Sequence, residues 1–277
     1  MNSQTPTGAA SFEKGLALFT LILRDDGQTP LTALAAPLAL PRSTLYRLAG
    51  ALEDAGLISR LERGRYVAGP ALAERLGGMS WAGQLVRLAR PLLRELANEY
   101  GATAHLGVME HDMVTYLVKE AATGAPAVFT RETAQLEAYC SGIGKVLLAW
   151  LPEAERERYL AGGPFVGLTA RTITDPAQLR LCLQQVRAEH YAVDNREIAE
   201  GLYCLAVPVG LEHGSVRAGI SLSFPQHAPS GDSHAARLDR LTACAAAVAR
   251  RMGPPLTAPA GMTTRLPQAD DRRGHGR

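Results

Sequence analysis

The sequence predicts an α+β protein in two parts, a small helical unit closed by a β-hairpin and a larger mixed α+β domain. Three observations carry this. Over residues 11–69 the apolar spacing is helical three times, then shifts to two short β-prone runs around a charged turn. From about residue 83 a long amphipathic helix leads into alternating strand-like and helical stretches. At 277 residues and 47 % apolar content, the chain is long enough to bury two cores.

The elements follow in order. Residues 1–10 are small and polar and are expected to be disordered, as are residues 254–277, rich in proline, glycine and charge. In FEKGLALFTLIL, Phe12, Leu16, Phe19, Ile22 and Leu23 recur at helical spacing before the turn residues DDGQTP. LTALAAPL is a short helix with Pro37 near its end, and LPRSTLYRLAGALEDAG is a third helix stopped by Gly56. LISRLERGRYVAGP reads as a hairpin, and Pro70 restarts a helix that links the parts over residues 70–82. The second domain, residues 83–253, opens with a helix that places Leu85, Leu88, Leu92 and Leu96 on one face. ATAHLGVME, MVTYLVKE and APAVFTR read as strands, and CSGIGKVLLAWL and EAERERYLAG as helices. Asp175 is the N-cap and Pro176 the first residue of the next helix. YAVDNREI, LYCLAVPVG and SVRAGISLSF resume the β pattern before a last helix from SHAARLD onward.

Composition narrows the function classes. Net charge is only +2, so the chain as a whole does not announce a nucleic-acid partner. The four cysteines, Cys140, Cys182, Cys204 and Cys244, are far apart and lack metal-ligand spacing, and the seven histidines form no HxxxH or HExxH pair. No metal and no cofactor are expected. There is no signal-peptide pattern and no run of 18 apolar residues, which points to a cytoplasmic protein with free thiols. The run CSGIGK suggests a phosphate-binding loop, but Tyr139 stands where its first glycine is needed and Val146 where its Ser or Thr is needed. The nucleotide reading fails there.

The third helix is informative by face. With Leu45 directed inward, Leu48, Ala49 and Leu52 share its side, and Ser43, Arg47 and Gly50 lie opposite, flanked by Thr44 and Tyr46. Arg42 precedes them. Hydroxyls, a guanidinium and a phenol near a helix N-terminus suit a DNA major groove, and Arg60, Arg63 and Arg65 of the hairpin suit the flanking phosphates. Each arginine taken alone is ordinary surface; order, face and hairpin together point to DNA.

The stretch LPRSTLYRLAGALEDAGLISRLERGRYVAGPAL resembles the N-terminal domain of the IclR family of bacterial transcriptional regulators. It has a Pro-basic-Ser-Thr-x-aromatic-Arg run, a Leu-x-x-x-Gly-Leu exit and a Tyr-x-x-Gly-Pro end. Pro37 departs from the usual second helix and shortens it. The resemblance continues through QLVRLARPLLRELANEYGATAHLGV to residue 252. It implies a winged helix-turn-helix joined by a linker helix to an α+β (GAF-like) effector-binding domain. It also implies a double-stranded operator, a small-molecule effector, a homodimer or homotetramer and no enzymatic activity.

By the same resemblance, EAYCSGIGKVLLA begins the helix bordering the effector cavity, with Gly142 and Ile143 as ligand-facing backbone positions. DNREIAEGLYCLAVPV supplies Asp194 and Cys204, and GISLSF supplies Ser221 and Ser223. The glycines would let a ligand approach the backbone, and a helix N-terminus suits a carboxylate. Lys145, in the first turn, is read as outward-pointing. Two other classes stay open. A redox sensor needs an exposed, low-pKa thiol, and a thiol hydrolase needs a histidine, such as His105, beside Cys140 or Cys204.

Overall fold

The computed structural model describes residues 7–76, 80–210, 216–225 and 234–253. The chain divides into two compact units, the second beginning at Ser80. The expectations for residues 1–6 and 254–277 lie outside the described residues.

In the first unit α1 (Thr7–Asp25) starts four residues earlier than residue 11, so Thr7–Ala10 are helical rather than disordered. Leu18 and Ile22 of α1 join Leu31, Leu45, Leu48, Ala49, Ile58 and Tyr66 in one core. The expected face of α1 is only partly the buried one. Phe12 is 71 % exposed and Leu16 48 % exposed, whereas Leu18 is fully buried. The helix is apolar on more than one side, and packing chose among them. α2 (Leu31–Leu34) is a single turn, followed by a 3-10 turn, Ala36–Leu38. Pro37 has no N–H to extend the helix, which accounts for the break. α3 (Arg42–Asp54) buries Leu45, Leu48 and Ala49. It ends as expected: Gly56 has φ +69°, its N–H donates to Glu53 O, and Leu57 N–H donates to Leu52 O. β1 (Ile58–Arg60) and β2 (Tyr66–Ala68) pair antiparallel, and α4 (Pro70–Leu76) follows.

The second unit opens with α5 (Trp81–Tyr100), capped by the Ser80 hydroxyl, which accepts from Gly83 N–H. Its deepest residues are Leu85, Ala89, Leu93 and Leu96; Leu88 and Leu92 are only half-buried. β3 (Thr103–Glu110), β4 (Met113–Ala121), β5 (Gln135–Glu137), β6 (Ala192–Asn195), β7 (Leu202–Val209) and β8 (Ala218–Pro225) form an antiparallel sheet of order β5-β4-β3-β8-β7-β6. α5 and α9 (His234–Met252) cover one face, and α6 (Gly142–Trp150) lies against the other with α8 (Pro176–Glu189) behind it. α7 (Glu153–Leu160) joins that second layer. Asp175 caps α8 through Gln178 N–H, with Pro176 next, as the sequence predicts.

One strand is corrected. APAVFTR forms no strand; the chain there is irregular, and β5 appears later at Gln135–Glu137. Lys119 Nζ donates to Val128 O at 2.7 Å and to Thr130 O at 2.5 Å, so these carbonyls are satisfied by a side chain rather than a ladder. Pro126 contributes no N–H to one.

Strand alternation sorts the sheet into two chemically different faces. Leu205, Leu222 and Ala104 lie opposite one another, as do Val207, Ile220, Leu106 and Val118, and all pack in the α5/α9 core. The intervening positions face α6. Asp194 is registered with Cys204, Cys204 with Ser223, Ala206 with Ser221, and Ser221 with His105. A polar row lies on the floor beneath one helix.

Candidate functional site

In the first unit, Arg42, Ser43, Tyr46 and Arg47 are exposed and Thr44 is half-buried, on the side of α3 away from Leu45, Leu48 and Ala49. A methyl group built on Gly50 would meet nothing within 4 Å, so this stretch of the face stands clear. Glu53 and Asp54 are exposed at the far end of the helix. In the hairpin Arg60 and Arg63 are exposed, and Arg63 takes a left-handed turn conformation with φ +58°. Arg65 is half-buried, its Nε donating to Glu62 O at 3.4 Å. The unit thus gathers exposed cations on one helix N-terminus and one hairpin. Acidic groups sit at the other end of the helix.

The second cluster lies between the sheet floor and the first turn of α6. Ser141 caps that helix by accepting from Gly144 N–H at 3.1 Å, and its carbonyl accepts from Lys145 N–H. Gly142 and Ile143 therefore present the amides ahead of the helical ladder. The glycines are there for close packing against protein. A Cβ on Gly142 would stand 3.1 Å from Ala206 Cβ, and one on Gly144 would stand 2.2 Å from Ala138 O. The Ile143 side chain is likewise occupied: its Cγ2 covers the paired Gly107 and Gly219, 3.2 Å from where a Cβ on either would be. Only the backbone of Gly142 and Ile143 remains for a ligand.

Lys145 corrects the outward reading. It is 1 % exposed, and its Nζ donates to Glu197 Oε1 at 2.5 Å and to Val193 O. The helix dipole disfavours a lysine in the first turn, and this buried carboxylate compensates. Asp194 Oδ1 accepts from Glu197 N–H at 2.7 Å and Ile198 N–H at 3.4 Å, which shapes the turn carrying Glu197. Thr169 and Thr172 hydroxyls donate to the Arg196 and Glu197 carbonyls from the far side. Burial lifts the Asp194 carboxyl to about 6, against the backbone hydrogen bond from Glu197 and the Lys145 charge, which lower it.

Cys204 lies inside β7, with Sγ 3.2 Å from Ser223 Oγ. Ser223 reaches His105 Nδ1 at 3.4 Å, and His105 Nε2 meets Thr130 Oγ1 at 2.7 Å. Burial, aided by the Lys119 charge, drives His105 down to about 3, so its ring is neutral. Ser221 is buried one pair further along the same floor. Four of the six expected effector positions, Asp194, Cys204, Ser221 and Ser223, share one surface. His105 and Thr130 extend that row through Ser223, and Glu197 is tied to it by its N–H on Asp194; the sequence offered no periodic signal for these three as a group.

A three-helix unit closed by a hairpin, followed by an α+β unit, matches the plan of a helix-turn-helix transcription regulator with a second domain. Comparison with known proteins gives the same class. The model for "Bacterial transcriptional regulator IclR C-terminal" matches residues 82–250, and that for "IclR helix-turn-helix domain" matches residues 11–62. The chain belongs to the IclR family of bacterial transcriptional regulators. It is 32 % identical over 214 residues to the HTH-type transcriptional regulator XynR of Escherichia coli K12, covering 77 % of this chain and 85 % of that protein. It is 34 % identical over 205 residues to KdgR of the same organism, covering 73 % and 78 %. Among solved structures, the C-terminal domain of E. coli KdgR aligns with TM-score 0.54 and 35 % identity over 61 % of this chain and 99 % of that one. An IclR homologue from Microbacterium hydrocarbonoxydans complexed with 4-hydroxybenzoate has TM-score 0.58, 24 % identity and coverage of 87 % and 98 %; at that identity the likeness is one of fold. The relatives are named as regulators, not enzymes. No helix among the described residues is long and apolar enough to cross a membrane.

Proposed function

We propose that this regulator binds a palindromic operator as a homodimer or homotetramer and releases or engages it in response to a small organic acid. On this reading Arg42, Ser43, Thr44, Tyr46 and Arg47 enter the major groove, and Arg60, Arg63 and Arg65 meet flanking phosphates. The acid lies between the α6 N-terminus, through the Gly142 and Ile143 amides, and the floor of Asp194, Cys204, Ser221 and Ser223. The observation that carries the sensor reading is that polar floor, buried beneath a helix N-terminus. A ligand alters DNA affinity by binding the DNA-competent and incompetent states unequally.

The thiol alternatives fit less well. Cys140, Cys204 and Cys244 are buried. Burial pushes the Cys140 thiol up to about 12 and that of Cys244 to about 11, and raises Cys182 and Cys204 as well. A thiol held protonated is a poor nucleophile and a poor redox sensor. Among the described residues His105 is linked to Cys204 through Ser223.

Footprinting on DNA beside its own gene, then gel shifts with a panel of organic acids, tests the whole reading. A protected inverted repeat whose occupancy changes with an acid supports it. Occupancy that responds only to oxidant, or an acid recovered chemically altered, would sink it.

Two further results are expected. Arg60→Ala with Arg63→Ala should weaken binding to all sequences alike and reduce the salt slope by about one per lost contact. A slope equal to that of the wild type would remove the hairpin from the phosphates. Second, an anion bound beside Asp194 favours its protonated form and raises its pKa above about 6. Binding then takes up a proton, so affinity should rise as pH falls from about 8 toward 6 and level off below the free-protein pKa. Calorimetry in buffers of different ionisation enthalpy reads that proton directly, and no uptake would place the anion away from Asp194.

A further inference from the structure

We infer that residues 125–132 form a strap over the His105 end of the polar floor, latched to α5 on the other side of the sheet by the ion pair of Glu132 with Arg90. Breaking that one pair uncovers His105. The inference concerns how the floor is closed and does not depend on what binds there. The segment lies between β4 and β5 and is irregular throughout. Of residues 123–133 Thr130 alone is buried, and its Oγ1 stands 2.7 Å from His105 Nε2. His105 is 1 % exposed, and its other ring nitrogen faces Ser223.

The strap is held by polar ties and not by packing. None of residues 123–133 joins either hydrophobic cluster of the domain, and residues 126–130 make no backbone–backbone hydrogen bond among the described residues. A turn stands at each end. Ala125 N–H donates to Ala122 O around Gly124, at φ +78°, and Ala134 N–H donates to Arg131 O around Thr133, at φ +64°. Between these turns the ties are the Lys119 ammonium on the Val128 and Thr130 carbonyls, the Thr130 contact with His105, and Glu132. A segment with exposed backbone and no apolar anchor opens at little cost once its polar ties are cut.

Glu132 is the tie that spans the two faces. Alternation along β4 puts Lys119 opposite His105 on the floor side and Glu120 opposite Ala104 on the α5 side. β5 pairs with β4 only over Met113–Thr115, so the β4 edge beyond it is free, and there Glu132 Oε1 accepts from Lys119 N–H at 2.9 Å. From α5, Arg90 grips both oxygens of Glu132, at 2.8 and 3.1 Å, and holds that carboxyl below the usual carboxylate range. Arg90 also meets Glu120, but Arg94 holds Glu120 independently at 2.9 Å. Loss of Arg90 therefore unlatches the strap without leaving Glu120 unpaired. α5 is the first element of the second unit and receives the chain from the first, so the latch lies on the helix through which the DNA-reading unit is joined.

The test uses the full-length protein with Arg90→Ala, Glu132→Gln, the double variant, and Arg94→Ala as control. Two readouts report the strap: the titration of the His105 ring by NMR, its signal assigned by loss in His105→Gln, and trypsin cleavage after the exposed Arg131. In the wild type, burial and the Lys119 charge keep His105 down at about 3, with Thr130, Ser223 and the Tyr116 ring as its other neighbours. Uncovered, the ring meets water and should titrate upward toward its ordinary value of about 6.5. Cleavage after Arg131 should be about tenfold or more faster in each single variant, the factor expected for a lost charge-assisted pair that gates local opening. The double variant should be no faster than the singles, because one latch is lost once. Arg94→Ala, which breaks only the tie to Glu120, should behave as the wild type. Thermal unfolding confirms that the variants are folded, and should Arg90→Ala misfold, Glu132→Gln decides. A His105 ring that stays neutral above about pH 5 when Glu132 is replaced overturns the strap as its cover. Cleavage at the wild-type rate, a multiplied effect in the double variant, or an equal effect of Arg94→Ala overturns the Arg90–Glu132 latch.

Discussion

Arg47→Ala is expected to weaken specific operator binding by about 2–6 kcal/mol on a dimer, from ~1–3 kcal/mol for each lost bidentate base contact at two half-sites. The residue is exposed on the face of α3 opposite Leu45, Leu48 and Ala49, so its truncation removes no core contact. Circular dichroism and thermal unfolding should match the wild type while the gel shift on the mapped operator is lost. Gly50→Ala on the same face separates stability from recognition. Nothing lies within 4 Å of the added methyl, and alanine in a helix interior is worth about 0.5–1 kcal/mol over glycine. The variant should melt higher and bind its operator less well if that face enters the groove. Undiminished affinity in both variants would move the DNA interface off this side of α3.

Gly144→Ala is the second large effect, and it acts on folding. Its methyl would stand 2.2 Å from Ala138 O and 2.4 Å from Ala138 Cα, both backbone atoms that cannot rotate away. Relieving the clash means withdrawing the start of α6 from Ala138, which also breaks the Ser141 cap on Gly144 N–H. Overpacking costs ~1–3 kcal/mol or more and a lost cap about 1 kcal/mol, so a loss of about 3 kcal/mol or more is expected. Denaturant unfolding of the variant beside the wild type reads it. A stable Gly144→Ala protein would mean the glycine serves ligand approach and not packing.

The local pattern made much of the architecture legible. Gly56 after a helical run, Asp175-Pro176 before one, and charge between two β-prone runs are local signals, and the structure follows each. They are legible because caps and turns are decided by a few neighbouring residues. The exposed face of α3 was legible for the same reason. Helical periodicity fixes which side chains share a side, and one apolar stripe left the other side for solvent or DNA.

What periodicity leaves open is which of two possible faces meets a neighbour. α1 carries apolar residues around much of its circumference, so Phe12 and Leu18 were equally plausible core residues until α3 packed on one side. α5 behaves alike, with Leu93 deep and Leu88 half-buried. APAVFTR has strand-like residues, but its carbonyls are taken by Lys119, a partner brought in by the sheet.

The sequence by itself determined the two-part α+β plan, the exposed face of α3 and the family to which the chain belongs. Tertiary structure alone decided that the CSGIGK glycines serve packing against Ala138 and Ala206, that Lys145 turns inward to Glu197, and that Asp194, Cys204, Ser221, Ser223 and His105 share a floor. The physical reason is range. Caps, turns and faces depend on residues a turn apart, whereas an ion pair between Lys145 and Glu197 or a register between Ser221 and His105 depends on strand pairing across the whole domain.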